Sequence, residues 1–254
     1  MDVILRTSPA DGIALLTLNR PDKLNAMTAD LVQGLHDHLS DIAVDPSVRV
    51  VILTGYGTAP HTEHLGRTQA GFAVQKHIAS LMPRLRSLPQ PVIAAVNGPA
   101  AGGGFALVLG SDIRLASRSA RFNAAFIRIG LSACDIGTSW VLPRLVGAAR
   151  AQELMLTGRV FDAEEAYRIG LVVDLLDDDT LMDAALTKAH EVMRNSPFGV
   201  ALTKEGMWGA LEIPAMQNAI DMENRQQIMA SATADHREAM MAFLERRPPD
   251  YTNS

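Results

Sequence analysis

Three consecutive glycines, Gly102-Gly103-Gly104, follow a run that reads as a buried strand, Pro91 to Val96, and lead into the apolar stretch Phe105 to Leu109. Lacking Cβ atoms, such residues permit positive φ and let the backbone approach a ligand closely. A helix starting there aims its free N–H groups and the positive end of its dipole at the same point. The chemistry this suits is stabilisation of a developing oxyanion. Phosphate loops and plain tight turns use the same device, so the glycines alone do not choose among these. The chain has no Gly-Lys-Ser/Thr of a phosphate loop, and no G-x-G-x-x-G followed by an acidic residue about 20 positions later.

The other reactive residue types are less organised. Seven histidines (His36, His38, His61, His64, His77, His190, His236) show no H-E-x-x-H or similar ligand spacing, and no metal is expected. His36 and His38, two apart, fall on different sides of a helix and read as surface. His61 and His64 are of more interest because of the segment they occupy, Gly55 to Leu65. The single cysteine, Cys134, has no partner histidine in its sequence context and reads as a small buried hydrophobe rather than a nucleophile. Ser132 and Ser139 lack the G-x-S-x-G setting of a hydrolase serine.

The elements that must hold these residues alternate between strand and helix. Gly12 to Leu18 reads as a strand closed by the turn Asn19-Arg20-Pro21. Next comes a helix with Thr28 as cap and Leu31, Leu35 and Leu39 on one face. Val48 to Thr54 is a buried strand ended by Gly55; Phe72 to Leu88 is helical, with Pro83 expected to kink or divide it. Pro91 to Val96 and Asp112 to Ala116 complete the strands. This alternation argues for an α/β fold with largely parallel pairing. Beyond about residue 175 the pattern turns helical: Leu181 to Arg194, an interruption at Ser196-Pro197-Phe198-Gly199, then three amphipathic segments to Arg247, before the tail Pro248-Pro249-Asp250-Tyr251.

Composition narrows the function classes. With 254 residues, 48% hydrophobic and 20% charged, the chain supports one substantial core. A formal net charge of −5 and the lack of any Lys/Arg-rich run argue against a nucleic-acid partner. No apolar stretch reaches membrane-spanning length, so no membrane association is expected. The N-terminus, Met1-Asp2-Val3-Ile4-Leu5-Arg6, lacks a signal-peptide pattern and one cysteine fits a reducing compartment. A cytoplasmic location is the expectation.

The stretch P-V-I-A-A-V-N-G-P-A-A-G-G-G-F, with S-D-I-R-L-A-S-R-S-A-R-F after it, closely resembles the central motif of the crotonase superfamily, the enoyl-CoA hydratase/isomerase family. Asn19-Arg20-Pro21 with Lys23-Leu24-Asn25-Ala26, Leu142 to Gly147, Leu156-Thr157-Gly158-Arg159 and Ala163 to Leu171 match further landmarks, so the likeness covers almost the whole chain. The resemblance implies a crotonase (ClpP/crotonase-like) spiral of ββα units over 1–195, and a C-terminal helical oligomerisation region over 196–254. It implies a homotrimer or a hexamer (dimer of trimers). It also implies a coenzyme A thioester, here an acyl-CoA substrate rather than a cofactor, and no separate cofactor. Gly103 takes the position whose N–H forms half of the family's oxyanion hole. Gly102, Gly104, Ala106, Phe126, Trp140 and His64 are expected to line the substrate site.

Two departures from the family pattern change the expected chemistry. The hydratases resembled carry glutamates two residues after the glycine triplet and in a segment after A-R-F; here those places hold Ala106 and Phe126. Neither moves a proton, and each acid–base group is worth about 10² to 10⁴ in rate, so the two-glutamate hydration mechanism does not carry over. Asp135, in Gly130 to Thr138, stands where dienoyl-CoA isomerases of the superfamily carry a catalytic aspartate. Flanked by Cys134 and Ile136, it is expected to have a raised pKa. It either exchanges protons or caps the helix that begins near Gly137. The leading expectation is an acyl-CoA isomerase or hydratase of fatty acyl-CoA metabolism; the alternative is a non-catalytic acyl-CoA-binding protein.

The second departure is Gly55 to Leu65, which lacks the family's F-C-x-G-x-D segment and with it the second oxyanion donor; a forced alignment puts His64 there. Either that donor is lost, or a segment is missing from the sequence, in which case a discontinuity or a poorly ordered loop is expected.

Overall fold

A computed structural model describes residues 2–23, 25–55 and 68–254. His61, His64 and the expected break after Gly55 lie outside the described residues.

The chain runs β1 (Ile4–Ala10), β2 (Ile13–Leu18), α1 (Ala29–Val44), β3 (Val50–Gly55), α2 (Thr68–Ala79), α3 (Leu81–Ser87), β4 (Val92–Val96), β5 (Pro99–Ala101), α4 (Gly103–Gly110) and β6 (Ile113–Ser117). Then come β7 (Arg121–Asn123), α5 (Thr138–Val146), α6 (Ala148–Thr157), β8 (Phe161–Asp162), α7 (Ala163–Arg168), β9 (Asp174–Leu176) and α8 (Leu181–Met193). Three helices follow, α9 (Pro197–Ala210), α10 (Met216–Ser231) and α11 (Ala234–Glu245). Among the described residues one sheet has the order β1-β2-β3-β4-β6-β9, antiparallel at β1-β2 and parallel thereafter, and a smaller one has the order β5-β7-β8.

Strands buried on both faces read as continuous apolar runs, and β3 and β4 are built that way. The two-residue period of β3 sends Val51 and Leu53 toward α1 and α3, and Val50 and Ile52 toward Leu181, Ala185 and Ala189 of α8. A third cluster joins α4 and α5 around Phe105, Phe122 and Phe161. The expected α/β alternation is therefore present. Thr28 caps α1 by accepting from the Leu31 N–H, and Leu31, Leu35 and Leu39 face the core as expected.

Three local expectations are corrected. The helix after β3 divides at Ser80, not at Pro83. Pro83 occupies the first turn of α3, where the missing N–H has no intrahelical acceptor to lose. The interruption after α8 is present but shorter than expected, at 194–196: Ser196 caps α9 by accepting from the Gly199 N–H, and Pro197 to Gly199 already belong to its first turn. Cys134 is exposed rather than buried. The C-terminal tail turns back, so that the Ser254 carbonyl accepts from the Ala234 N–H at the start of α11 (2.7 Å). The buried Asp235 carboxylate accepts from the N–H groups of Thr252 and Asn253.

Candidate active site

Where β5 runs into α4 the backbone turns through Gly102, whose φ of 52° and ψ of −116° suit only a residue without Cβ. Its N–H donates to Asn123 O (3.1 Å) and its carbonyl accepts from Ala106 N (2.9 Å), the first bond of the helix. The N–H groups of Gly103 and Gly104 have no acceptor among the described residues. A Cβ on Gly102 would lie 3.3 Å from the Phe126 ring, and one on Gly103 would lie 2.6 Å from Met27 Cγ. At Gly104 nothing stands within 4 Å. The start of α4 therefore offers free donors, with Phe126 and Met27 as its walls.

Met27 reaches Gly103 because of the turn before α1. Asn25 adopts φ 54° and its side-chain carbonyl accepts from Arg20 N (2.7 Å). The Arg20 guanidinium then donates to Ala26 O (2.9 Å) and Thr28 Oγ1 (3.1 Å), fixing the residues on both sides of Met27. The Asn19-Arg20-Pro21 motif is thus a clamp for one wall of the site.

Asp135 lies in the loop between β7 and α5. Its side chain is half-buried, and burial raises its pKa above the usual aspartate value; the Ile136 N–H and the Gln75 amide oppose that rise. Ile136 N donates to Oδ1 (2.7 Å), and Gln75 Nε2, from α2, donates to the same oxygen. The helix-capping reading is not what the structure has: the cap of α5 is Gly137 at φ 75°, without a side-chain bond. The Asp135 carboxylate turns instead to its own neighbour's N–H. That geometry needs Ile136 at φ 44°, an unusual conformation for a β-branched residue, which costs on the order of 1–3 kcal/mol. Burial of Ile136 in the α4–α5 cluster offsets it.

Ala106 has no exposed surface and shares that core cluster with Ala133 and Ile136; Phe126 packs against the cluster's edge. Trp140 sits elsewhere on α5, in a stack ordered Trp208, Arg86, Trp140, Arg144. Arg86 lies 4.6 Å and 4.7 Å from the two indole rings, and Arg144 lies 3.8 Å from Trp140. Trp140, Arg86, Arg144 and Gly137 line an open cleft of about 450 Å³. The structure thus brings Gly102, Gly103, Phe126 and Met27 together, hangs Asp135 from the loop that follows Phe126, and turns Trp140 to the α9 side. Sequence reasoning missed Met27 and Gln75, and no motif marks either. Among the described residues no cluster of histidine, cysteine or acidic side chains could hold a metal ion, and no helix is long and apolar enough to cross a membrane.

A family model described as enoyl-CoA hydratase/isomerase matches residues 9–254. A probable enoyl-CoA hydratase of Mycobacterium tuberculosis is 40% identical over 267 residues, spanning 100% of this chain and 94% of the relative. The 1,2-epoxyphenylacetyl-CoA isomerase of Escherichia coli is 38% identical over 251 residues, covering 95% of each chain. The crystal structure of a probable enoyl-CoA hydratase/isomerase from Mycobacterium abscessus superposes with a TM-score of 0.92 at 36% identity over 99% of both chains. That of an enoyl-CoA hydratase from Bacillus anthracis gives 0.94 at 32% identity, over 99% of this chain and 100% of that one. The resemblance carried by the glycine triplet and its flanking landmarks thus holds from end to end, and the chain belongs to the enoyl-CoA hydratase/isomerase family of the crotonase superfamily.

Proposed function

We propose that the protein is an acyl-CoA isomerase in which Gly103 and Asp135 are the catalytic groups. The thioester oxygen accepts from the Gly103 N–H at the positive end of α4, which favours the charge that develops there. Asp135 takes a proton from a carbon of the acyl chain; the C–H electron pair enters the enolate, and the same carboxyl returns the proton at another carbon. The net result is a shifted double bond with no co-reactant. Phe126 and Met27 keep water from the enolate.

The observation that carries this reading is the half-buried Asp135 carboxylate with its raised pKa, on a chain that has alanine and phenylalanine at 106 and 126. An acid–base group works best when its pKa approaches the working pH. One such group is enough for a proton shuttle, whereas hydration by the two-glutamate route needs two. The likeness to an epoxyphenylacetyl-CoA isomerase leans the same way. The test is a panel of enoyl-, dienoyl- and 3-hydroxyacyl-CoAs followed by ultraviolet absorbance and mass spectrometry. A substrate turned over by wild type should be turned over about 10² more slowly, or worse, by Asp135→Asn, with affinity little changed. Acyl-CoA binding without turnover of any panel member is the outcome expected of a non-catalytic acyl-CoA-binding protein, the reading that the loss of both glutamates favours.

Self-association belongs to the same proposal. Helix α10 buries none of its residues, and Met216, Ile228, Met229, Met241, Phe243 and Leu244 of α10 and α11 are exposed. An uncovered apolar surface of this kind marks an interface. We assign it to further copies of this chain, in a trimer or a dimer of trimers, which light scattering of the purified protein would count.

A further inference from the structure

We propose that Gln75 is the positioning residue for Asp135: its amide and the Ile136 N–H fasten Oδ1 together, leaving Oδ2 as the oxygen that exchanges the substrate proton. The inference rests on the reading of Asp135 as the acid–base group. Its geometric basis is the pair of donors on one oxygen, Gln75 Nε2 and Ile136 N. Oδ2 has no partner among the described residues. A carboxylate held by one oxygen cannot rotate to present the other, so the proton-accepting atom is chosen before the substrate arrives.

The two donors are of different kinds. Ile136 N–H is covalently adjacent and is held by the left-handed backbone at that residue. Gln75 comes from α2, sixty residues away in the chain, so its bond links the position of that helix to the orientation of the carboxylate. The groups that set the acidity of Asp135 are its burial, the Ile136 N–H and the Gln75 amide; no charged side chain is among them. The charged and titratable groups with described partners on the elements around it face elsewhere. Lys76 lies over Phe72, Arg84 donates to Ser40, Arg86 pairs with Glu212, Arg144 lies over Trp140, and His77 stacks on His36. Gln75 is therefore the one side chain besides Asp135 itself through which the acidity and aim of this carboxyl are adjusted among the described residues.

In the step itself Oδ2 gains the proton as the C–H pair enters the enolate, and loses it as the pair closes on the second carbon. Oδ1 keeps both of its donors throughout. A donor on the carboxylate favours the charged form, so removing Gln75's amide raises the acidity constant's midpoint.

The test uses the full-length protein with Gln75→Leu and Gln75→Glu, each close to glutamine in size and each without a donor to an ionised carboxylate. Gln75 is solvent-exposed, so neither change should unfold the chain. Asp135 is titrated directly by carboxyl carbon NMR, and kcat and KM are measured across pH with the substrate found in the panel. Both variants should titrate Asp135 at higher pH than wild type and shift the acid limb of kcat the same way. Turnover should fall about tenfold on that limb, with KM within about twofold. If Asp135→Asn abolishes turnover while both Gln75 variants keep the wild-type titration and pH profile, the positioning role is overturned and the reading of Asp135 stands. Full turnover by Asp135→Asn overturns both.

Discussion

The ammonium of Lys204 lies 2.8 Å from the Asp112 carboxylate, with 4% and 16% of the two side chains exposed, and this pair joins α9 to the start of β6. Both partners are fully engaged. Lys204 also donates to Leu85 O and Gln90 O (2.9 Å each), while Asp112 accepts from Val92 N and Trp208 Nε1 (2.8 Å each). Burial pulls the Lys204 pKa down and Asp112 opposes it. The C-terminal helices are thus fastened to the sheet by a buried ion pair.

Breaking one side of that pair should be costly. Lys204→Met leaves the largely buried Asp112 without its ion-pair partner and two carbonyls without a donor, and the expected loss is about 3–5 kcal/mol. Urea unfolding of the single variant and of Lys204→Met/Asp112→Asn checks this. The double variant should recover part of the loss, because it removes the orphaned charge.

Gly103 and Met27 should be coupled. Gly103→Ala places its Cβ 2.6 Å from Met27 Cγ, so the methionine must move, at a cost of about 1–3 kcal/mol. In a Met27→Ala background the same change should cost at least about 0.5 kcal/mol less. Thermal unfolding of the four proteins of this cycle gives the coupling; strict additivity would show that Met27 is not the wall we describe.

Asp135 should oppose stability at neutral pH. Its folded pKa is raised above the unfolded value, so whatever it contributes is fully present below about pH 3.9 and is lost as pH rises through the folded pKa. Asp135→Asn, which still accepts from Ile136 N–H, should be the more stable protein at pH 7, with its advantage gone near pH 4. Urea midpoints measured from pH 4 to 8 decide the sign.

Arg159 binds Glu153 and Glu165 through two bonds each, between 2.6 and 2.9 Å. Lysine cannot reproduce that fork. Arg159→Lys should therefore lose about 1 kcal/mol at low salt, and the gap to wild type should shrink in 1 M (about 3 Å screening length) sodium chloride, since the pair is partly exposed.

The parts of the fold that were legible in sequence are those with a strong period. The alternating and continuous apolar runs of β2, β3 and β4 announce themselves, as do the leucine spacing and Thr28 cap of α1. The strands β5, β7, β8 and β9 have two or three residues each, too few for any period to show, and tertiary pairing alone makes them strands. Pro83 misled because a proline's effect depends on its place in a helix, which the sequence around it does not mark. At the site, the glycine turn and Asp135 were legible, while Gln75 and Met27 were not, since each reaches its partner only once distant segments have packed. Cys134 is exposed on a loop that turns through three residues of positive φ, Gly130, Ile136 and Gly137, before α5, a path that no period in the sequence announces.

Both tryptophans of the chain, Trp140 and Trp208, share the Arg86 guanidinium, one carried by α5 and the other by α9. The molecule therefore has a built-in optical gauge. Any event that lifts the C-terminal helices from the sheet takes the Trp208 indole off the Arg86 guanidinium and into water, while Trp140 keeps Arg86 and Arg144, so the change in ultraviolet emission reports that single seam with no dye attached. Unfolding followed by emission and by far-ultraviolet circular dichroism can then be compared to ask whether α9 leaves before the sheet does.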